Sequence, residues 1–528
     1  MSKTVGATAT VNGEAKLPAR NFIMYPLGTI GRDFLYNLFN SNLITFILFT
    51  KTLTKAQFAA VSIIIIAARI FDAFNDPIMG GIVENTRSRF GRFKPWMTIG
   101  ALLTGLVVIG VFSVPLNGWA FIGFLAVMYF LFSITFTMND ISYWGMMPSL
   151  TANEHDRNKL TSFAQIAAGI GGAIAGFIIP VLAIGANPLG GSAPKAFMLI
   201  AVFSAIFMFG FQMFTVFGVK EKPLVLAEKK PPMKLKDMFK VIFKNDQLMW
   251  CALIALIYQI GTQVVNGGLS MSYIYFEFGY NGTLTMLFGA LSGAIGVIFT
   301  LVFPWLSKKF GRDKLLASCA YATIFGYLAV MLCGILIPAG THTVHLDILG
   351  LIVADMDLKF IVITLVNMIP GYGGGFYMIM VICLANTVEY NEWKTGQRDE
   401  GLIFSLRPFT AKLASALMQF IVMLVYLIVG VTTYTNGISD AENAVPQGLM
   451  TAEEKMETIN GILAEVPQAK KTALLVCMCV IPAVFVTVAI ILYKKKFFLT
   501  EEFHAKIVRE IAERKASEEV TAEPVSEE

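Results

Sequence analysis

Two aspartates four residues apart, Asp72 and Asp76, stand in the run Arg69-Ile-Phe-Asp-Ala-Phe-Asn-Asp-Pro77. On a helix they face the same way, one turn above the other. Pro77 has no N–H to give the carbonyl of Ala73, which leaves that oxygen open on the same turn. Asn75 stands beside them. Hard oxygen donors grouped in this way suit Na⁺ or Li⁺, and carboxylates that crowd each other can instead share a proton.

A second pattern lies in Thr137-Met-Asn-Asp-Ile-Ser-Tyr-Trp144, where Asp140 and Trp144 are four apart and Thr137 comes three before Asp140. A carboxylate that accepts from paired hydroxyls, beside an indole that covers an apolar face, is a way to hold a sugar. Arg32-Asp33, Arg407 and Lys412 add further charges inside apolar runs. Trp144 alone would read as core filling, and a single buried ion pair as helix packing. Several anions and cations set into apolar segments together call for a function.

The segments that must position these residues are too apolar for a soluble enzyme or a nucleic-acid reader. Of the 528 residues, 56% are hydrophobic and 15% charged, at a mean hydropathy of +0.66. Soluble domains carry about 25% charged residues. Runs long enough to span a bilayer are read at 22–50, 57–84, 95–115, 118–148, 161–187, 196–218, 246–277, 283–306, 314–338, 358–386, 402–434 and 471–493. The expected fold is therefore an all-α polytopic membrane protein of twelve transmembrane helices. Within a bilayer a central charge costs about 2.5–3.5 kcal/mol on insertion scales, so each one listed above needs a reason.

Lysine and arginine concentrate in alternate loops. Arg87, Arg89, Arg92 and Lys94 follow the second run, Arg157 and Lys159 the fourth, and Lys308, Lys309, Arg312 and Lys314 the eighth. Lys494–Lys496 follow the last run. This bias predicts a multi-pass protein with both termini cytoplasmic. The longest basic connection, 219–245, divides a tail (1–21) and a six-helix bundle (22–218) from a second bundle (246–494) and a charged tail (495–528). An outer loop, 435–470, lies within the second bundle. Phe90-Gly91-Arg92 and Phe310-Gly311-Arg312 occupy equivalent turns of the two halves, an internal echo.

The six cysteines fall in or beside apolar runs and read as small buried hydrophobes rather than disulfides or ligands. His342 and His345 read as a solvated loop. Phe503, Ile507, Val508 and Ile511 form a helical stripe in the tail that fits a membrane surface or the protein itself. Thr451-Ala-Glu-Glu454 reads as a capping box that opens a short helix.

The stretch RIFDAFNDPIMGGIVENTRSRFGRFKPW, Arg69–Trp96, closely resembles the signature of the glycoside–pentoside–hexuronide:cation symporter family, typified by melibiose permease. GRDF at Gly31–Phe34, TMNDISYW at Thr137–Trp144, FPWLSKKFGR at Phe303–Arg312, NTVEYNEWKTGQRDEG at Asn386–Gly401 and Lys412 extend the resemblance over most of the chain. It implies the major facilitator fold and alternating access in a bacterial plasma membrane. A sugar or glycoside, whether pentoside, hexuronide or oligosaccharide, would be coupled to Na⁺, Li⁺ or H⁺ by a monomer that has no cofactor and no nucleic-acid partner. Asp72 and Asp76 match the cation-site aspartates, with Thr137 a further oxygen ligand and Lys412 beside the site; Asn75 is added to this set by its place beside the two aspartates. Asp33, Arg32, Asp140, Trp144 and Tyr377 match the sugar site. Glu84, Arg87, Arg89, Gly91, Arg92, Gly311, Arg312 and Arg398 match the cytoplasmic conformational motifs.

The chain also departs from the family pattern. Gln165 stands where an arginine near the sugar is expected, and Arg407 replaces a glutamine. Arg407 lies about 140° round its helix from Lys412. Arg32 replaces a lysine and Tyr377 a tryptophan. These changes argue against assuming any particular α-galactoside. A symporter of another amphipathic solute, such as a lysolipid, stays open. A membrane-embedded metal-dependent transferase is disfavoured, because a second aspartate-rich motif is missing from the sequence.

Overall fold

The apolar runs are helical in the structure. A computed structural model describes residues 10–11, 14–15, 17–151, 154–219, 244–340, 342–348, 352–397 and 400–522. Six helices form the first half: α1 (Ala19–Thr50), α2 (Lys55–Asn85), α3 (Lys94–Ser113), α4 (Gly118–Leu150), α5 (Glu154–Ala183) and α6 (Ala193–Gly218). The second half contains α7 (Asp246–Phe278), α8 (Gly282–Phe310), α9 (Arg312–Leu336), α10 (Leu358–Thr395) and α11 (Glu400–Val429). Two short helices, α12 (Thr432–Ala444) and α13 (Ala452–Glu465), precede α14 (Gln468–Lys496) and the tail helix α15 (Glu501–Ala522).

Among the described residues, ten helices are long and apolar enough to cross a membrane, and α2 makes an eleventh as a bent pair. The bend is 42° between Asp72 and Asn75, in the turn before Pro77. A proline both omits a hydrogen bond and crowds the carbonyl four residues earlier, so the kink falls where the sequence requires it. The 32-residue helix α1 carries Arg20, Arg32 and Asp33, which lower its hydropathy. Two spans are interrupted: α7 by a π turn at Val265–Leu269 where Gly268 has φ 131°, and α10 around Gly373–Gly375. Most of the linker 219–245 and Arg398 lie outside the described residues.

The helices pack as two units. In unit 1, α1 lies against α5 and α6, α3 against α4 and α6, and α2 against α4. The α1–α6 approach depends on Gly31, where a Cβ would come within 2.5 Å of the Phe207 carbonyl oxygen. Small residues let membrane helices meet backbone to backbone in this way. Two stretches grouped by sequence with the second half pack in unit 1 instead: Gly279–Met286 and Tyr426–Pro467.

The expected outer loop is therefore built as part of unit 1. The capping box at Thr451 and Glu454 is present and opens α13. The Asn436 side chain accepts from the Leu53 N–H at 3.1 Å and donates to the Leu53 carbonyl at 2.9 Å. Thr52 donates to Asp440 at 2.5 Å. Glu442 and Lys455 form an ion pair at 3.4 Å with both side chains wholly buried, and Glu442 also accepts from the Ala193 N–H at 2.7 Å. The sequence reading carries span 11 on to residue 434. The helix in fact stops at Val429, where Gly430 takes φ 71°.

In unit 2, α7 packs on α14, α9 on α14 and α10, and the end of α10 on α15. Ile507 and Ile511 of the tail stripe join this core, while Val508 is exposed. The tail helix therefore packs on protein. The histidine loop is a β-hairpin, with Thr343–Ile348 paired to Ile352–Asp357. All six cysteines are buried or half-buried.

Candidate substrate and cation sites

Helix α4 presents the stripe Ser133, Thr137, Asp140 and Trp144. At 100° per residue these four lie within about 60° of one another. The stripe meets α2 at one end and α1 at the other. Toward α2 it forms a ladder. Ser133 donates to Asp72, and Thr137 donates to Asp76 at 3.1 Å. The four-residue spacing of the carboxylates is thus matched by a four-residue spacing of hydroxyls.

Asp72, Asn75, Ser133 and Thr137 are all buried, and Asp76 is half-buried. The Asn75 amide donates to the Ser133 carbonyl at 3.4 Å. Arg69, one turn before Asp72, lies 3.6 Å from its carboxylate and donates to Asn40 of α1. Its positive charge offsets Asp72 from within the same helix.

Toward α1 the stripe forms a charged cluster. Arg32 is bonded to Asp33 by Nε at 3.0 Å and Nη2 at 2.7 Å, and its Nη1 lies 3.0 Å from Asp140. The guanidinium sits 4.9 Å from the ring centre of Tyr143 and 5.2 Å from that of Trp144. Tyr143 in turn stacks on Tyr25 at 4.4 Å. Each of these tyrosines donates its hydroxyl to the other's carbonyl at 2.7 Å, which staples α1 to α4.

A family model of MFS/sugar transport proteins matches residues 24–498. The chain belongs to that family. It is a transporter and not an enzyme. The lactose permease of Lactobacillus delbrueckii subsp. bulgaricus is 29% identical over 505 residues, which covers 93% of this chain and 72% of that permease. The raffinose carrier protein of Pediococcus pentosaceus is 26% identical, covering 93% of this chain and 71% of the carrier. The isoprimeverose transporter of Lactiplantibacillus pentosus is 25% identical over 72% of this chain and 75% of that protein. Among solved structures, a D-xylose–proton symporter superposes with TM-score 0.54 at 14% identity, covering 86% of this chain and 99% of that one, a likeness of fold.

The remaining expected residues of this transporter are spread between the units. Gln165 is exposed on α5. In unit 2, Tyr377 and Arg407 line one narrow crevice with Cys251, Met380 and Thr410; its volume is about 10 Å³, room for about one water. Lys412 is half-buried on α11. Of the turn motifs, Gly91 has φ 96° and Gly311 φ 78°, so the echo between halves extends to a backbone conformation that favours glycine.

Arg312 is buried. It donates to the Leu499 carbonyl at 2.9 Å, and its backbone N–H donates to Glu501 at 3.2 Å. Arg89 and Arg92 lie over Phe90 and Phe93, while Glu84 and Arg87 are exposed.

Sequence reasoning passed over Ser133, Arg69, Tyr25 and Tyr143. Ser133 and Arg69 carried a signal, since they stand four before Thr137 and three before Asp72. The pairing of the two tyrosines carried none, because they are 118 positions apart.

Proposed function

We propose that this transporter couples uptake of a sugar or glycoside to Na⁺, Li⁺ or H⁺. We place it as a monomer in a bacterial plasma membrane with both termini cytoplasmic. The observation that carries the reading is the α4 stripe. One helix face joins a carboxylate–hydroxyl ladder, suited to a small cation or proton, to a carboxylate–indole pair, suited to a sugar. Thr137 and Asp140 are three residues apart, a rise of about 4.5 Å along the helix axis. A cation that rearranges the first group therefore acts on the helix that holds the second. The family membership and the sugars named for its relatives support the solute class.

The test is accumulation of radiolabelled lactose, raffinose and isoprimeverose in proteoliposomes under imposed Na⁺, Li⁺ or proton gradients. At least one sugar should accumulate with at least one cation. Asp72→Asn and Asp76→Asn should each abolish cation-driven accumulation while binding survives at weaker affinity. Asp140→Asn and Trp144→Ala should weaken solute binding more than cation binding. Full accumulation in both the Asp72 and Asp76 variants would remove the cation-site assignment.

A further inference from the structure

Taking the sugar site of unit 1 as read above, its geometry depends on how α1 stands against α4. Backbone packing sets α1 on α5 and α6, and α4 on α2 and α3, so the α1–α4 relation is left largely to side chains. The Tyr25–Tyr143 bonds are one fastening. A second runs through α6. Gln212 Nε2 donates to the Gly28 carbonyl of α1 at 3.1 Å and to Asn139 Oδ1 of α4 at 3.2 Å. Asn139 Nδ2 donates onward to the Met97 carbonyl of α3 at 2.9 Å. Both amide side chains are wholly buried. Gly28 stands one turn before Arg32, and Asn139 directly precedes Asp140.

The direction of this chain of bonds is fixed. It ends at backbone carbonyls, which only accept, so turning either amide over would set oxygen against oxygen. The other Gln212 atom, Oε1, is buried with no hydrogen-bond partner among the described residues, so Gln212 acts here through its two donors. Stability does not account for the arrangement, because hydrogen bonds between membrane helices contribute little and an unmet buried acceptor subtracts from that. What such bonds add over apolar contacts is direction. Tyr143 and Asn139 are four residues apart, about 6 Å along α4. One fastening leaves α4 able to pivot, and a second a turn away fixes its rotation.

We infer that Gln212 is a positioning residue for solute binding: it sets the rotation of α4 against α1, and with it the approach of Asp140 to Arg32, without itself touching the solute. The carboxylate–hydroxyl ladder joins α4 to α2 instead, and α2 packs on α4, so the ladder turns with α4. Loss of Gln212 therefore disturbs the solute site and leaves the cation site in place.

The experiment measures equilibrium binding of lactose, raffinose and isoprimeverose to the purified full chain in lipid nanodiscs. Cation affinity is read without sugar, as the Na⁺ or Li⁺ concentration that gives half of the maximal rise in thermal stability. If the chain answers to neither ion, the pH midpoint of sugar binding takes its place. Gln212→Met keeps the side-chain length and removes both donors. It should weaken the best-bound sugar at least about fivefold and leave the cation readout unchanged within about twofold. Asn139→Leu should also weaken sugar binding, and the double variant should lose less than the product of the two single losses, because they share one bond. Gln212→Asn, whose amide is too short to reach both partners, should show the same selective loss and serves if the methionine variant fails to fold.

Thr215→Val is the control. Thr215 donates from α6 to the Met24 and Tyr25 carbonyls of α1 but not to α4, and its loss should leave sugar affinity within about twofold of the parent. A Gln212→Met protein with the parent's sugar affinity, a loss of sugar and cation affinity in equal proportion, or an equal sugar loss in Thr215→Val would overturn the inference and leave the sugar-site reading standing. If the parent binds none of the three sugars, that reading falls, and this inference with it.

Discussion

At the scale of single residues, the charges inside the helices are offset close to home. Arg69 serves Asp72 from one turn away, and Arg32 serves its neighbour Asp33 and Asp140 across to α4. This is what a membrane interior demands, because an ion pair broken there leaves a charge without solvent to turn to. The same pairing has a different meaning in water. On the exposed hairpin, the His345 ring is 2.7 Å from Asp355, and the hydrogen bond to that carboxylate raises the histidine's pKa above its ordinary value. The protonated pair supports the hairpin at pH below the ordinary histidine value, and that support is lost as pH rises through the raised value. A titration of His345 followed by NMR should show a midpoint above that of free histidine. Asp355→Asn should bring it down to the ordinary range, and an unchanged midpoint in that variant would dismiss the pair.

At the scale of elements, legibility followed periodicity. The carboxylates of α2 and the stripe on α4 were readable because helical spacing is local, whereas the α2 bend at Pro77 was not drawn from it. The docking of α12 and α13 was not readable. It depends on Glu442 meeting Ala193, and on Asn436 meeting Leu53, 383 positions away, and polar residues in such a stretch look like any solvated loop. Its buried ion pair makes the docking testable. Lys455→Met leaves the Glu442 carboxylate buried without its lysine, which should cost about 3–5 kcal/mol of stability. The double variant Lys455→Met with Glu442→Leu removes both charges and should recover most of that loss, since apolar replacement of a whole buried pair is often neutral or favourable. Thermal unfolding of the three purified proteins reads the difference. If the single variant matches the parent, the pair plays no part in holding these helices.

At the scale of the whole chain, symport requires that the cation alter the affinity for the solute, and the linkage must run equally in reverse. The α4 stripe joins the two proposed sites within unit 1, and a group from the other half of the sequence whose state depends on the cation would carry the linkage between the halves. Lys412 has the chemistry for this. It is half-buried in α11, in a run that otherwise reads LASALMQFIVMLV, and the family resemblance puts it beside the cation site. An ammonium there would keep the cation-free site near neutrality and give up its carboxylate partners when Na⁺ arrives, so that ion binding shifts the balance between conformations. A lysine that only packs would affect stability and leave the linkage untouched. Lys412→Val should therefore fold and reach the membrane, yet lose the cation's enhancement of solute affinity. The measurement is sugar affinity of the purified variant at saturating Na⁺ and with none, at two pH values. If the variant keeps the parent's ratio of affinities under every condition, Lys412 has no share in coupling. If the ratio collapses to one while thermal stability holds, the coupling passes through this ammonium.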